Sequence, residues 1–169
     1  HVMEPPDIFD RYLDPAFKDR VSIPVGADGK PGRGSTPNCL IDGVSGRGDL
    51  DMQQYRKRPA RNTTADHMHQ PLSNSRLANV GVLQFAIDRD YDAVAQVMGM
   101  EIEGIDIAVL FPTLGLSLIS RDDVDPLLSL AVCQAYNNWQ YDFCNYSPDQ
   151  LKFAAMLPMH DVNLAGKEL

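Results

Sequence analysis

Apolar and polar positions fall into a regular order from residue 88 onward. Tyr91, Val94, Ala95, Met98 and Ile102 recur on one helical face, and Asp88 or Asp90 can supply its N-terminal cap. Gly104 marks the stop, because glycine takes the left-handed conformation that ends helices. The run Ile105-Asp106-Ile107-Ala108-Val109-Leu110-Phe111 is mostly apolar, rich in β-branched residues and closed by Pro112. It predicts a strand buried on both faces, as in a parallel sheet. Asp125-Pro126 is a cap followed by proline at the first helical position. Leu128, Val132, Ala135, Trp139 and Phe143 then mark the buried stripe of a helix of about five turns that ends near Pro148. Phe153 to Leu157 predicts a second buried strand, closed by Pro158, and Asp161 caps a further helix.

This alternation of helix and strand places the chain in the α/β class, with parallel strands joined by right-handed crossovers. Residues 105–111 and 153–157 are expected to be adjacent parallel strands, with the helix at about 126–147 crossing between them. A (β/α)8 barrel needs about 250 residues. The 169 residues here, with two clear strands and a start at His1 instead of Met, fit the first two or three units of such a domain. The chain is therefore read as the N-terminal portion of a single barrel-like domain.

The first half is different. Residues 26–48 hold seven of the twelve glycines, and eight of the twelve prolines precede residue 72. Residues 26–75 accordingly read as a loop-rich excursion, the kind of insertion that serves as a lid or stays disordered. Residues 26–48, poor in apolar side chains, are expected to run over the strand-end side of the sheet or to be poorly ordered. Arg47, Arg56, Lys57, Arg58 and Arg61 form a basic stretch. Its ordinary reading is a solvated face; the functional alternative is a cationic lid over an anionic substrate.

A net charge of −8 argues against nucleic acid as a partner. No apolar run approaches the roughly 18 residues of a membrane span, and no signal peptide is visible. Cys39, Cys133 and Cys144, an odd number at unrelated spacings, fit thiols in a reducing cytoplasm. The glycine pairs lack the spacing of a dinucleotide fingerprint; a P-loop and a serine nucleophile elbow are likewise missing from the sequence.

Two histidine groups could carry chemistry. His67 and His69 share a strand-like spacing suited to a metal, but polar, turn-forming flanks make exposed loop histidines their ordinary reading. His1-Val2-Met3-Glu4-Pro5-Pro6-Asp7 joins a histidine and a carboxylate just before two prolines that force the chain out of regular structure.

Taken with Met100–Thr113 (MEIEGIDIAVLFPT), Ala135-Tyr136-Asn137-Asn138-Trp139, Asp142-Phe143-Cys144, and Pro148–Leu151 running into Ala154–Pro158, this N-terminal block resembles the amidohydrolase-related proteins of the second amidohydrolase group. That group includes the aminocarboxymuconate-semialdehyde decarboxylase-like enzymes. The resemblance covers most of the chain outside residues 26–75. It implies a TIM-like (β/α)8 barrel with a divalent metal at the carboxyl ends of its strands, Zn²⁺ first and Mn²⁺ as the alternative. His1 matches the second member of the family's HxH-like element, with Glu4 as a ligand or its supporting partner. The remaining ligands of the family fall outside this chain, so the chain by itself is expected to be inactive.

Barrel active sites lie on the loops that follow the strands. Those positions here include Phe111, Thr113 and His160, the candidates for contact with substrate. A loop-packing role is the ordinary alternative for His160, and a turn role for Thr113. The implied activity is metal-dependent hydrolysis or non-oxidative decarboxylation of a small, carboxylate-bearing organic molecule. The alternative is a non-catalytic barrel that binds or scaffolds without a working metal centre. Either is compatible with a homo-oligomer.

Overall fold

In the computed structural model, the described residues are 2, 4–5, 7–23, 39–45, 85–86, 88–112 and 121–169. His1, Thr113, His67, His69 and the basic stretch at 47–61 lie outside them.

The N-terminal segment leads into a short helix, α1 (Ile8–Tyr12), and a 3-10 turn, Pro15–Arg20, capped by the Asp14 carboxylate on the Ala16 N–H. Three two-residue strands follow: β1 (Val21–Ser22), β2 (Leu40–Ile41) and β3 (Val44–Ser45). They pair antiparallel in that order. The turn between β2 and β3 is Asp42-Gly43, with φ of 52° and 77°. Both residues occupy the left-handed region that a tight hairpin requires.

The second half is a parallel βαβ unit. α2 (Ala93–Glu103) leads to β4 (Ala108–Leu110), the crossover helix α3 (Pro126–Cys144), β5 (Leu151–Phe153) and α4 (Val162–Glu168). β4 and β5 pair in parallel, Ala108 opposite Leu151 and Leu110 opposite Phe153. The expected adjacency and direction of these strands, with the helix between them, are therefore present. The expected cap signals also act where the residues stand. The Asp125 carboxylate accepts from the Leu127 N–H, and Asp161 accepts from the Asn163 and Leu164 N–H groups. Gly104 ends α2 at φ 74°, its neighbour Ile105 donating back to the Met100 carbonyl at 2.9 Å.

Four expectations need correction. The cap of α2 is Asp92, which accepts from the Ala95 N–H, because Asp90 and Tyr91 both sit at left-handed φ and keep the helix from starting earlier. β5 lies two residues before its expected start. Its apolar continuation cannot extend the strand, since the Met156 N–H and carbonyl are taken by the Asn137 side chain of α3.

Burial on both faces of β4 is not found either. Leu110 is buried, but Ile105, Ile107, Val109 and Phe111 are 46–60% exposed along the opposite face. Two paired strands and the described helices cover only one side of the sheet. Lastly, residues 39–45, expected within a poorly buried excursion, form the β2–β3 hairpin and place Cys39 and Ile41 in the core, each 1% exposed. Two well-placed apolar side chains suffice for that, however glycine-rich their surroundings.

Among the described residues the core is one cluster. Ile8, Phe9 and Leu13 of the N-terminal helix region and Ile41 of the hairpin belong to it together with Leu128, Val132, Tyr136 and Trp139 of α3. Trp139 is flanked by Tyr136 and Phe143, with ring centroids 5.4 and 5.6 Å away. No helix among the described residues is long and apolar enough to cross a membrane.

Leu128 is fully buried. Leu128→Ala is expected to cost about 2–5 kcal/mol, as transfer loss and residual cavity add. Gly104→Ala meets no atom within 4 Å of its new Cβ. Its cost should therefore be the left-handed φ alone, about 1 kcal/mol. Urea unfolding of the two variants separates packing loss from backbone strain.

Candidate functional site at the strand ends

In a parallel unit the loops leaving the strands converge at their carboxyl ends, and there the described residues form a cleft of about 520 Å³. One wall is the segment Asp122–Pro126, which leads from β4 into α3; the other is Met159 and His160, between β5 and α4. Asp122, Asp123 and Asp125 give the first wall its charge.

Two arginines organise it. Arg20 grips Asp42 with two parallel hydrogen bonds, Nε to Oδ1 at 2.7 Å and Nη2 to Oδ2 at 2.8 Å, and reaches Asp125 through Nη1 at 2.8 Å. Arg121 makes the same two-pronged contact with Asp123, at 2.9 and 2.6 Å, while its Nη1 donates to the Ile41 and Val44 carbonyls. Both planar guanidiniums thus fasten the β2–β3 hairpin to the cleft wall. The bond from Arg20 is the main reason the Asp42 and Asp125 carboxyls ionise below the usual carboxylate range; the bond from Arg121 does the same for Asp123.

His160 is held on both sides. Nδ1 lies 2.9 Å from the Ser129 Oγ of α3, and Nε2 hydrogen-bonds the Arg121 carbonyl oxygen. Of the other sequence candidates, Phe111 sits on the open face of β4 with its ring half-exposed, away from the cleft lining. Its carbonyl accepts from the Val2 N–H at 3.1 Å, which draws the N-terminal segment alongside the carboxyl end of β4. Glu4 is half-buried and close enough to Tyr136 for its charge to help raise that hydroxyl's pKa, burial of the ring being the larger cause. The structure therefore brings His160 together with Asp122, Asp123 and Asp125, and does not bring Phe111 or Glu4 into that lining.

The three aspartates were the residues that sequence reasoning missed. Their signal was available: an acidic run, Asp122, Asp123 and Asp125, directly before a capped helix. Among the described residues, no group of three His, Cys, Asp or Glu side chains could hold a metal ion. All three cysteines are buried and unpaired with one another, and burial pushes the Cys39 and Cys133 thiols up to about 12, which keeps them protonated and unreactive.

Compared with family models and with curated proteins, the chain matches none.

The arginine clamp sets a pH dependence. Asp42 and Asp125 have lowered folded pKa values, so their contribution is present above the unfolded carboxylate value of about 3.9 and fades as pH falls through the folded values. Arg20→Met should be less stable than wild type at neutral pH. The gap between them, followed by urea unfolding at stepped pH, should begin to close near pH 4 and vanish below the folded values. A gap independent of pH would show that Arg20 acts through packing alone.

Proposed function

We propose that this chain contributes the first strands of a metal-dependent hydrolase or non-oxidative carboxy-lyase built on a TIM-like barrel, acting on a small carboxylate-bearing molecule. The observation that carries this reading is the Val2 N–H to Phe111 carbonyl bond beside the parallel β4–α3–β5 unit. It puts Val2 beside the carboxyl end of β4, and such barrels assemble their sites at the carboxyl ends of their strands. The apolar, exposed face of β4 also supports it, since barrel strands carry apolar side chains on both faces.

In this reading His1 is a metal ligand and Glu4 a ligand or its partner, with Zn²⁺ preferred over Mn²⁺ for a histidine-bearing site. A bound divalent ion would supply Lewis-acid polarisation of the substrate or an activated water. No step is assigned to it from the described residues. Their own contribution is the fixed cleft wall: Asp125 held by Arg20, Asp123 held by Arg121, and His160 held by Ser129.

Metal content and turnover measured on the natural polypeptide containing this sequence test the proposal. His1→Ala should lose metal and activity together, while residues 1–169 alone should retain no stoichiometric metal after dialysis, because a catalytic zinc normally takes three protein ligands. Full metal and full turnover in His1→Ala would remove His1 from the site. A folded natural polypeptide with neither metal nor turnover would favour the binding or scaffold alternative.

A further inference from the structure

Two polar side chains of α3, about two turns apart, hold the chain segment that runs from β5 to the cleft. Asn137 acts as a surrogate peptide group: its Nδ2 donates to the Met156 carbonyl at 2.9 Å and its Oδ1 accepts from the Met156 N–H at 2.8 Å. The same Nδ2 also donates to Glu168 Oε1 at 2.8 Å. Nearer the start of α3, Ser129 meets His160. Met156 and Pro158 between these pins are buried.

The partners of His160 fix its tautomer. A backbone carbonyl only accepts, so the proton facing Arg121 belongs to Nε2; in the neutral ring Nδ1 then accepts from the Ser129 hydroxyl. Ser129 is 1% exposed, so water is kept from replacing that bond. The Arg121 residue on the far side is itself anchored, through its guanidinium, to Asp123 and to the hairpin carbonyls. The ring, itself part of one wall, therefore bridges α3 to Arg121, the residue that leads into the other wall.

We propose that His160 is a positioning residue, a hydrogen-bonded strut of fixed tautomer that sets the spacing between the 121–125 wall and the Met156–His160 wall. A ligand in the cleft meets an imidazole whose two nitrogens are already committed, and the cleft owes its width to that commitment. This concerns the same cleft as the function proposed above. It is read out without metal or turnover, so either can fail while the other stands.

Long-range ¹H–¹⁵N spectra of the wild-type chain at about pH 8, where an ordinary imidazole is neutral, report the tautomer directly. The expected signature for His160 is a protonated Nε2 and an acceptor Nδ1; the reverse tautomer, or a mixture of both, overturns the proposal. Amide exchange then tests the strut. His160→Leu should speed exchange about tenfold, the worth of one hydrogen bond, in both 121–125 and 156–161, with α1 and the middle of α3 unchanged. His160→Gln, whose amide can still donate to the Arg121 carbonyl, should restore protection of 121–125. Unchanged exchange in His160→Leu, an equal rise across the whole chain, or no rescue by His160→Gln would each overturn it.

Discussion

A helix of 19 residues that is buried on most of its circumference leaves few places for its polar side chains to go. α3 contacts α1, α4 and β5, and its buried residues run through Leu128, Ser129, Val132, Cys133, Tyr136, Trp139 and Gln140. Its solvent stripe is correspondingly narrow. A polar group placed in such a helix is costly unless it is bonded, so each one must reach a partner on a neighbouring segment or on the helix itself. Gln140 does so locally, donating to the Tyr136 hydroxyl at 2.7 Å; Ser129 and Asn137 do so by gripping the chain after β5. No buried side-chain polar atom among the described residues lacks a partner. The shape of the loop beyond β5 is therefore a consequence of what α3 buries.

The opposite wall depends on charge. Arg20 and Arg121 come from distant parts of the chain, yet both end on the hairpin and on carboxylates flanking the start of α3. Exposed ion pairs contribute little individually. The Arg121 side chain, however, is only 10% exposed, and it donates to two backbone carbonyls of the hairpin, those of Ile41 and Val44. The cleft thus has one wall held by neutral hydrogen bonds inside the protein and one held by guanidinium–carboxylate contacts at its surface. His160 joins them.

Local signals in the sequence were enough for the order of elements in the second half, though not for the α2 cap, the bounds of β5 or the burial of β4. Asp125-Pro126 and Asp161 declare helix starts, Gly104 a helix end, and the short apolar runs between them supply strands, because each of these features acts on its own neighbours. What could not be read locally was decided by remote partners. The Asn137 amide stops β5 from continuing through an apolar run that looks like strand. The burial of Cys39 and Ile41 depends on a core cluster whose other members lie far along the chain. For the site, proximity to the strand ends was legible in His160, while the arginine–aspartate pairing was hidden by the sequence distance between partners. His1 and Thr113 fall outside the described residues, and Glu4 is not in the cleft lining, though near enough to Tyr136 for its charge to act on that hydroxyl.

The contact between Arg121 and the hairpin joins residues 80 and 77 positions apart, whereas β4 and β5 meet across a much shorter stretch bridged by a helix. Closing the longer loop loses more chain entropy before any contact can offset it. Folding should then be ordered: the βαβ unit can assemble from its own contacts, and the hairpin can dock only onto a surface that already exists. The same logarithmic dependence makes the finished protein tolerant. Because each doubling of a loop adds only about 0.6 kcal/mol, the chain between the hairpin and α2 is free to change length over generations while the Arg121 anchor stays in place. An anchor of that kind lets a protein vary the length of a connection without rebuilding what the connection joins.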